Sequence, residues 1–118
     1  MTFQIYHNPG CSKSRQTLAL LNENEIETTV INYLETPPDK DELKKIISLL
    51  GMKARELLRT GEHEYKLAGL DDSAKTEEQI IDAMLLYPIL IERPIVVKDG
   101  QAAVIGRPPE AVLELTRK

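Results

Sequence analysis

Phe3-Gln4-Ile5-Tyr6-His7-Asn8-Pro9-Gly10-Cys11-Ser12-Lys13-Ser14-Arg15 runs from a short apolar stretch, through a polar Pro-Gly turn, to the only cysteine of the chain. Thr17-Leu18-Ala19-Leu20-Leu21 follows with apolar periodicity. The reading is strand 3–6, tight turn, then a helix over 12–23 with Ser14, Thr17, Leu18 and Leu21 on one stripe. The thiol of Cys11 then lies at the first turn of that helix. A helix N-terminus offers unpaired N–H groups and the positive end of a dipole. Both favour the thiolate, which is the reactive form of cysteine, and the same N–H groups can receive an oxyanion.

Working outward, Thr28 to Leu34 is β-branched and reads as a second strand. Strand, helix and strand in that order imply a parallel crossover. Thr36-Pro37-Pro38 breaks the pattern. Asp39 and Glu42 suit a capping box for a helix over 40–50, with Leu43, Ile46, Ile47 and Leu50 apolar and Gly51 placed to end it. A short helix is expected from Ala54 to Arg59, and a helical turn with loop over 62–75. Thr76 and Gln79 form another capping box ahead of a helix over 77–86 that buries Ile80, Ile81, Met84 and Leu85. Pro88 ends it. Pro94 to Val97 is a strand, Asp99-Gly100 a hairpin turn, and Gln101 to Ile105 the return strand. Pro109 opens a final helix with Val112, Leu113 and Leu115 apolar. The order βαβ, a helical block at about 39–87, then ββα resembles a thioredoxin-like α/β fold: a four-stranded mixed sheet with a helical insertion, in a single domain over 1–118.

The 118 residues carry 15 Lys and Arg against 19 Asp and Glu. That acidic balance argues against a general nucleic-acid binder. No run reaches the roughly 20 apolar residues that span a bilayer, and no signal peptide is read at the N-terminus. One unpaired cysteine fits a reducing cytoplasm. A single Cys with His7 and His63 supplies no zinc set, so no metal is expected.

Lone cysteines are commonly buried and inert, but Pro-Gly before Cys11 and Ser-Lys-Ser after it are poor flanks for a core residue. Ser14 stands where a Cys-x-x-Cys motif has its second thiol; it forms no disulfide, but shares a helix face with Cys11. His7, at the strand end, either polarises the site or is a satisfied structural histidine. Arg59, Arg93 and Arg107 fall at loop positions where α/β folds carry ligand groups, and their donor forks suit tetrahedral oxyanions. The residues alone do not say that they converge.

The chain resembles the glutaredoxin-dependent arsenate reductase family, in its chromosomal branch, over essentially its whole length. The resemblance is carried by Ile5 to Pro9 with Cys11 and Ser14-Arg15, Tyr33 to Pro38, Arg55 with Leu57-Leu58-Arg59, Pro88 to Ile91 with Arg93 to Val97, and Arg107-Pro108. It implies Cys11 as nucleophile, with His7 tuning the thiol and Ser14 as a supporting hydroxyl. Arg59, Arg93 and Arg107 are the implied oxyanion set, and Pro94 an implied cis proline. The implied reaction reduces arsenate, or a similar small oxyanion, through a Cys11–arsenic adduct. Glutathione is a co-substrate, glutaredoxin the dithiol partner, and no cofactor is resident. Two other readings are a regulator like Spx, which binds RNA polymerase, and a glutathione-dependent thiol reductase without arsenic chemistry. Ser14 and the three filled arginine positions favour the enzyme over the regulator.

Overall fold

The computed structural model describes residues 2–116; Met1, Arg117 and Lys118, the ends of the expected domain, lie outside them. The chain divides into two compact units, one formed by residues up to Thr36 together with those from Arg93 onward, the other by Pro37–Glu92.

The first unit is built on a mixed sheet of β1 (Phe3–His7), β2 (Thr28–Asn32), β3 (Ile95–Lys98) and β4 (Ala102–Ile105). The spatial order is β2-β1-β3-β4. β1 pairs parallel with β2, Ile5 opposite Val30, and antiparallel with β3, Ile5 opposite Val96; β4 returns antiparallel along β3. The architecture is the thioredoxin-like α/β fold that the element order implied. The parallel β1–β2 pair is joined by α1 (Ser12–Glu23), whose bounds coincide with the predicted helix. Between β3 and β4, Asp99 and Gly100 both adopt positive φ, 56° and 66°, as a primed hairpin turn requires.

Because successive strand residues face opposite ways, Phe3, Ile5 and Val96 share one side of the sheet. With Leu21 of α1 and Val112 they form a buried cluster, against which Leu18, Leu20, Ile26, Val104 and Leu115 pack. Val112 and Leu115 belong to the C-terminal segment Pro109–Thr116, which is a 3-10 helix rather than the expected ordinary helix. The strand over 28–34 is shorter than expected and stops at Asn32, whose carbonyl accepts from the Glu35 and Thr36 N–H groups in a turn.

The second unit contains the helical block expected at 39–87. In α2 (Lys40–Leu50) the Asp39 carboxylate accepts from the Glu42 N–H, and Gly51 ends the helix in the left-handed conformation. Leu43, Ile46 and Ile47 are buried, while Leu50 is only half-buried. α5 (Glu77–Leu86) opens on the reciprocal Thr76–Gln79 box and buries Ile80, Ile81 and Met84, with Leu85 half-buried. α5 packs on α2, on the short α3 (Ala54–Leu57) and on a 3-10 turn at Pro88–Leu90; α4 (His63–Leu67) meets the same turn. The helix expected over 54–59 ends at Leu57, because Leu58 pairs across an antiparallel bridge with Ile91. Arg55 donates to the carbonyls of Leu70 and Asp72 and so ties α3 to the loop beyond α4. No helix among the described residues is long and apolar enough to cross a membrane.

Candidate active site

Three loops of the first unit meet at the C-terminal end of β1. The loop between β1 and α1 holds its shape through its own polar groups. The Asn8 carbonyl accepts from the Cys11 N–H at 3.0 Å, and the Asn8 Oδ1 from the Gly10 N–H at 2.9 Å. Arg15 reaches back and donates to the Pro9 carbonyl at 2.8 Å. Ser14 is fully buried; its Oγ lies 2.6 Å from His7 Nδ1 and accepts from the Asn8 N–H at 3.1 Å. His7 is therefore bonded to Ser14 and sealed from solvent, at 7% exposure. Burial, then the positive charge of Arg15, push its imidazole below the ordinary value, so it is neutral near pH 7.

Cys11 is the N-cap residue of α1, with extended backbone (φ −100°, ψ 123°), and is half-buried. Its side chain closes no tight N-cap hydrogen bond. Burial pushes the thiol up. The Ser14 N–H, a hydrogen bond from Arg93, the Lys13 N–H and the Arg93 charge pull it down, and together they prevail: the thiol lies below its ordinary value. Arg107 Nη2 also donates to Cys11 Sγ over 3.4 Å.

The two arginines are delivered by the ends of the β3–β4 hairpin. Arg93 precedes β3 across Pro94, and Arg107 follows β4 across Gly106. Arg107 Nε donates to the Arg93 carbonyl at 2.7 Å, and the Gly106 N–H to the Pro94 carbonyl at 2.9 Å. The Arg93–Pro94 peptide is cis, as the resemblance implied; so is Arg107–Pro108, which the sequence reading did not anticipate. Arg93 is 8% exposed whereas Arg107 is open to solvent. Of the six candidate residues, the structure brings Cys11, His7, Ser14, Arg93 and Arg107 together. Arg59 lies in the second unit, where its Nη1 is 2.6 Å from Glu92 Oε1 and its Nε 3.9 Å from Glu62 Oε1.

The chain matches the ArsC family over residues 6–115. It is 49% identical over 111 residues to an arsenate reductase of Escherichia coli, covering 94% of this chain and 78% of that one. An arsenate reductase from Vibrio cholerae superposes with a TM-score of 0.92 at 50% identity, covering 97% of both chains. The chain belongs to the ArsC family. Another relative of this ArsC chain, the uncharacterized protein YfgD of Escherichia coli K12, is 56% identical over 113 residues, 95% of this chain and 94% of that one.

Two residues of the ArsC chain matter here that the sequence reading left without a role. Asn8 holds the cysteine loop at both ends, and an Asn ahead of Pro-Gly is a known turn signal. Gly106 has no comparable local signal. A Cβ at that position would lie 2.5 Å from Thr17 Oγ1 and 2.8 Å from the Pro94 ring. Thr17 is itself buried on α1 and donates to the Lys13 carbonyl. The close approach of Gly106 to α1 is what brings the next residue, Arg107, to the thiol. Gly106→Ala is therefore expected to destabilise the protein by about 1–3 kcal/mol through overpacking and to slow Cys11 alkylation at neutral pH. Urea unfolding and the alkylation rate check the two effects separately. Among the described residues no group of three or more His, Cys, Asp or Glu is placed to hold a metal ion.

Proposed function

We propose that this protein reduces arsenate to arsenite, with Cys11 as nucleophile, glutathione as co-substrate and glutaredoxin as the final dithiol reductant. The observation that carries the reading is a lowered-pKa thiol at a helix N-terminus with two arginine guanidiniums on its sulfur. Thiolate and arginines together match a reaction in which a sulfur nucleophile must approach a multiply charged oxyanion; the cationic donors neutralise the charge that would repel it. Arg93 and Arg107 bind the oxyanion. Arg59 joins them on the family resemblance. His7 and Ser14 are positioning residues: they fix the first turn of α1, whose N–H groups face the thiolate.

The Cys11 thiolate displaces one arsenate oxygen as water and forms a covalent arsenic(V) adduct. Glutathione displaces a second oxygen as water and gives a mixed Cys11–arsenic(V)–glutathione species. A glutaredoxin thiolate attacks the glutathione sulfur, and a glutaredoxin–glutathione disulfide forms. The glutathione–arsenic bond breaks with its electron pair left on arsenic, which becomes arsenic(III). Water then cleaves the Cys11–arsenic(III) bond, releasing arsenite and the free thiol. Cys11 has no second cysteine in the chain and Ser14 is a hydroxyl, so both other sulfurs come from outside. Such chemistry needs a reducing compartment such as the cytoplasm, and no resident cofactor.

The test is steady-state arsenate reduction by the purified chain with glutathione and glutaredoxin. Omitting glutathione while supplying every other component is expected to abolish sustained turnover. Multiple turnovers under that condition overturn the proposed route. Failure to reduce arsenate with all components present, alongside normal glutathione-dependent thiol exchange, favours a thiol reductase without arsenic chemistry.

A further inference from the structure

Arg59 arrives at any oxyanion already paired with an anion of the protein's own. Leu58 and Ile91 form an antiparallel bridge, flanked by hydrogen bonds from the Glu92 N–H to the Leu57 carbonyl at 2.9 Å and from the Arg59 N–H to the Leu90 carbonyl at 2.8 Å. Leu58 and Ile91 are buried. Arg59 and Glu92, one step out on opposite strands, are diagonal neighbours on the other face of this ladder, within reach of each other's long side chains. Their side chains meet at 2.6 Å and are each about one-quarter exposed, 24% and 26%. Glu62 Oε1 stands 3.9 Å from the buried Nε, which makes no hydrogen bond.

We propose that Glu92 makes the Arg59 position selective for oxyanions that still carry a proton, such as arsenate and phosphate, over those that carry none, such as sulfate. The inference rests on the reading that Arg59 takes part in oxyanion capture. A guanidinium has five N–H donors in a rigid plane, and Glu92 engages one end of it. The donors left for a ligand are fixed within a few ångströms of the Glu92 carboxylate. An anion that takes them gains the arginine's attraction but is set beside a negative charge. A bare oxygen there is repelled, at a distance where like charges interact strongly. An O–H there donates to the carboxylate in a charge-assisted hydrogen bond. Near neutral pH arsenate and phosphate keep at least one O–H and sulfate keeps none.

The test uses inorganic phosphate and sulfate as probes, with affinity read from protection of Cys11 against alkylation in the full chain. The wild type is expected to prefer phosphate by about tenfold or more. In Glu92→Gln the amide can donate to a bare oxygen, so sulfate affinity rises by about tenfold while phosphate changes little, and the preference collapses. Glu92→Ala should lose the preference in the same way, without the new donor. A structural role alone would weaken both anions in parallel and leave their ratio intact. An unchanged ratio in both variants overturns the inference, as does a wild type that prefers sulfate. If neither phosphate nor arsenate protects wild-type Cys11, the oxyanion reading itself fails and takes the inference with it. If both protect and the ratio survives the substitutions, only the role of Glu92 fails.

Discussion

Cys11→Ser is expected to reduce arsenate turnover by about a thousandfold or more, as loss of a covalent nucleophile does, while the protein stays folded. The serine hydroxyl is close in size, but it is not ionised near pH 7 and cannot form the arsenic–sulfur bond on which the proposed thiol steps depend. Little else changes. Cys11 is only half-buried and closes no tight cap bond, so the substitution should cost under about 1 kcal/mol. The Ser14 and Lys13 N–H groups, Arg93 and Arg107 stay in place, and phosphate should still bind. Turnover, the urea midpoint and phosphate affinity measured on one preparation separate the possibilities. Retained turnover removes Cys11 from the mechanism. Loss of turnover together with loss of phosphate binding points to a disturbed loop instead.

The parts of this arrangement written in local sequence were legible. Pro9-Gly10 followed by an apolar stripe fixed both ends of α1, because a turn and a period of 3.6 are short-range signals. Asp39 and Thr76 announced α2 and α5 through their caps, and Asp99-Gly100 announced the hairpin through the positive φ it needs. What escaped is long-range. Leu58 leaves the helix expected at 54–59 for a bridge to Ile91, a partner that no local pattern names. The C-terminal segment has the apolar residues of a helix, but after Pro108-Pro109 it winds as a 3-10 helix against α1 and β4. At the site, cysteine and arginine types suggested the chemistry, yet their meeting depends on the β3–β4 hairpin carrying Arg93 and Arg107 at its two ends. That depends in turn on Gly106 clearing Thr17, a contact between residues far apart in the chain. The acidic partners of Arg59, Glu62 and Glu92, were in plain view and gave no sign until the bridge at Leu58 set one of them beside it.

Arg93 and Arg107 both touch the sulfur, but they are not equivalent, and Arg93→Ala is expected to be the more damaging. Arg93 is nearly buried; it hydrogen-bonds the thiol and its charge lowers the thiol's pKa. Taking it away acts twice. The upward push of burial on Cys11 is then opposed by the Ser14 and Lys13 N–H groups and the exposed Arg107, so the pKa rises and less thiolate exists at pH 7. On the proposed reading one donor for the charge developing on the oxyanion is lost as well, in a position largely shielded from water, where such donors are worth about a hundredfold to a thousandfold in rate. The pH profile of Cys11 alkylation should have its midpoint below that of an ordinary cysteine in the wild type and move upward in Arg93→Ala. Arg93→Lys keeps the charge and loses the planar fork, so it should restore part of the midpoint shift and less of kcat/KM. Arg107 reaches Sγ from an exposed loop, where salt screens its charge over about 8–10 Å. Arg107→Ala should therefore reduce kcat/KM less, with a defect that shrinks as ionic strength rises and wild-type activity falls towards it. Equal alkylation midpoints in the wild type and Arg93→Ala would remove Arg93 as the source of the thiol's acidity and leave it to the helix N-terminus and Arg107.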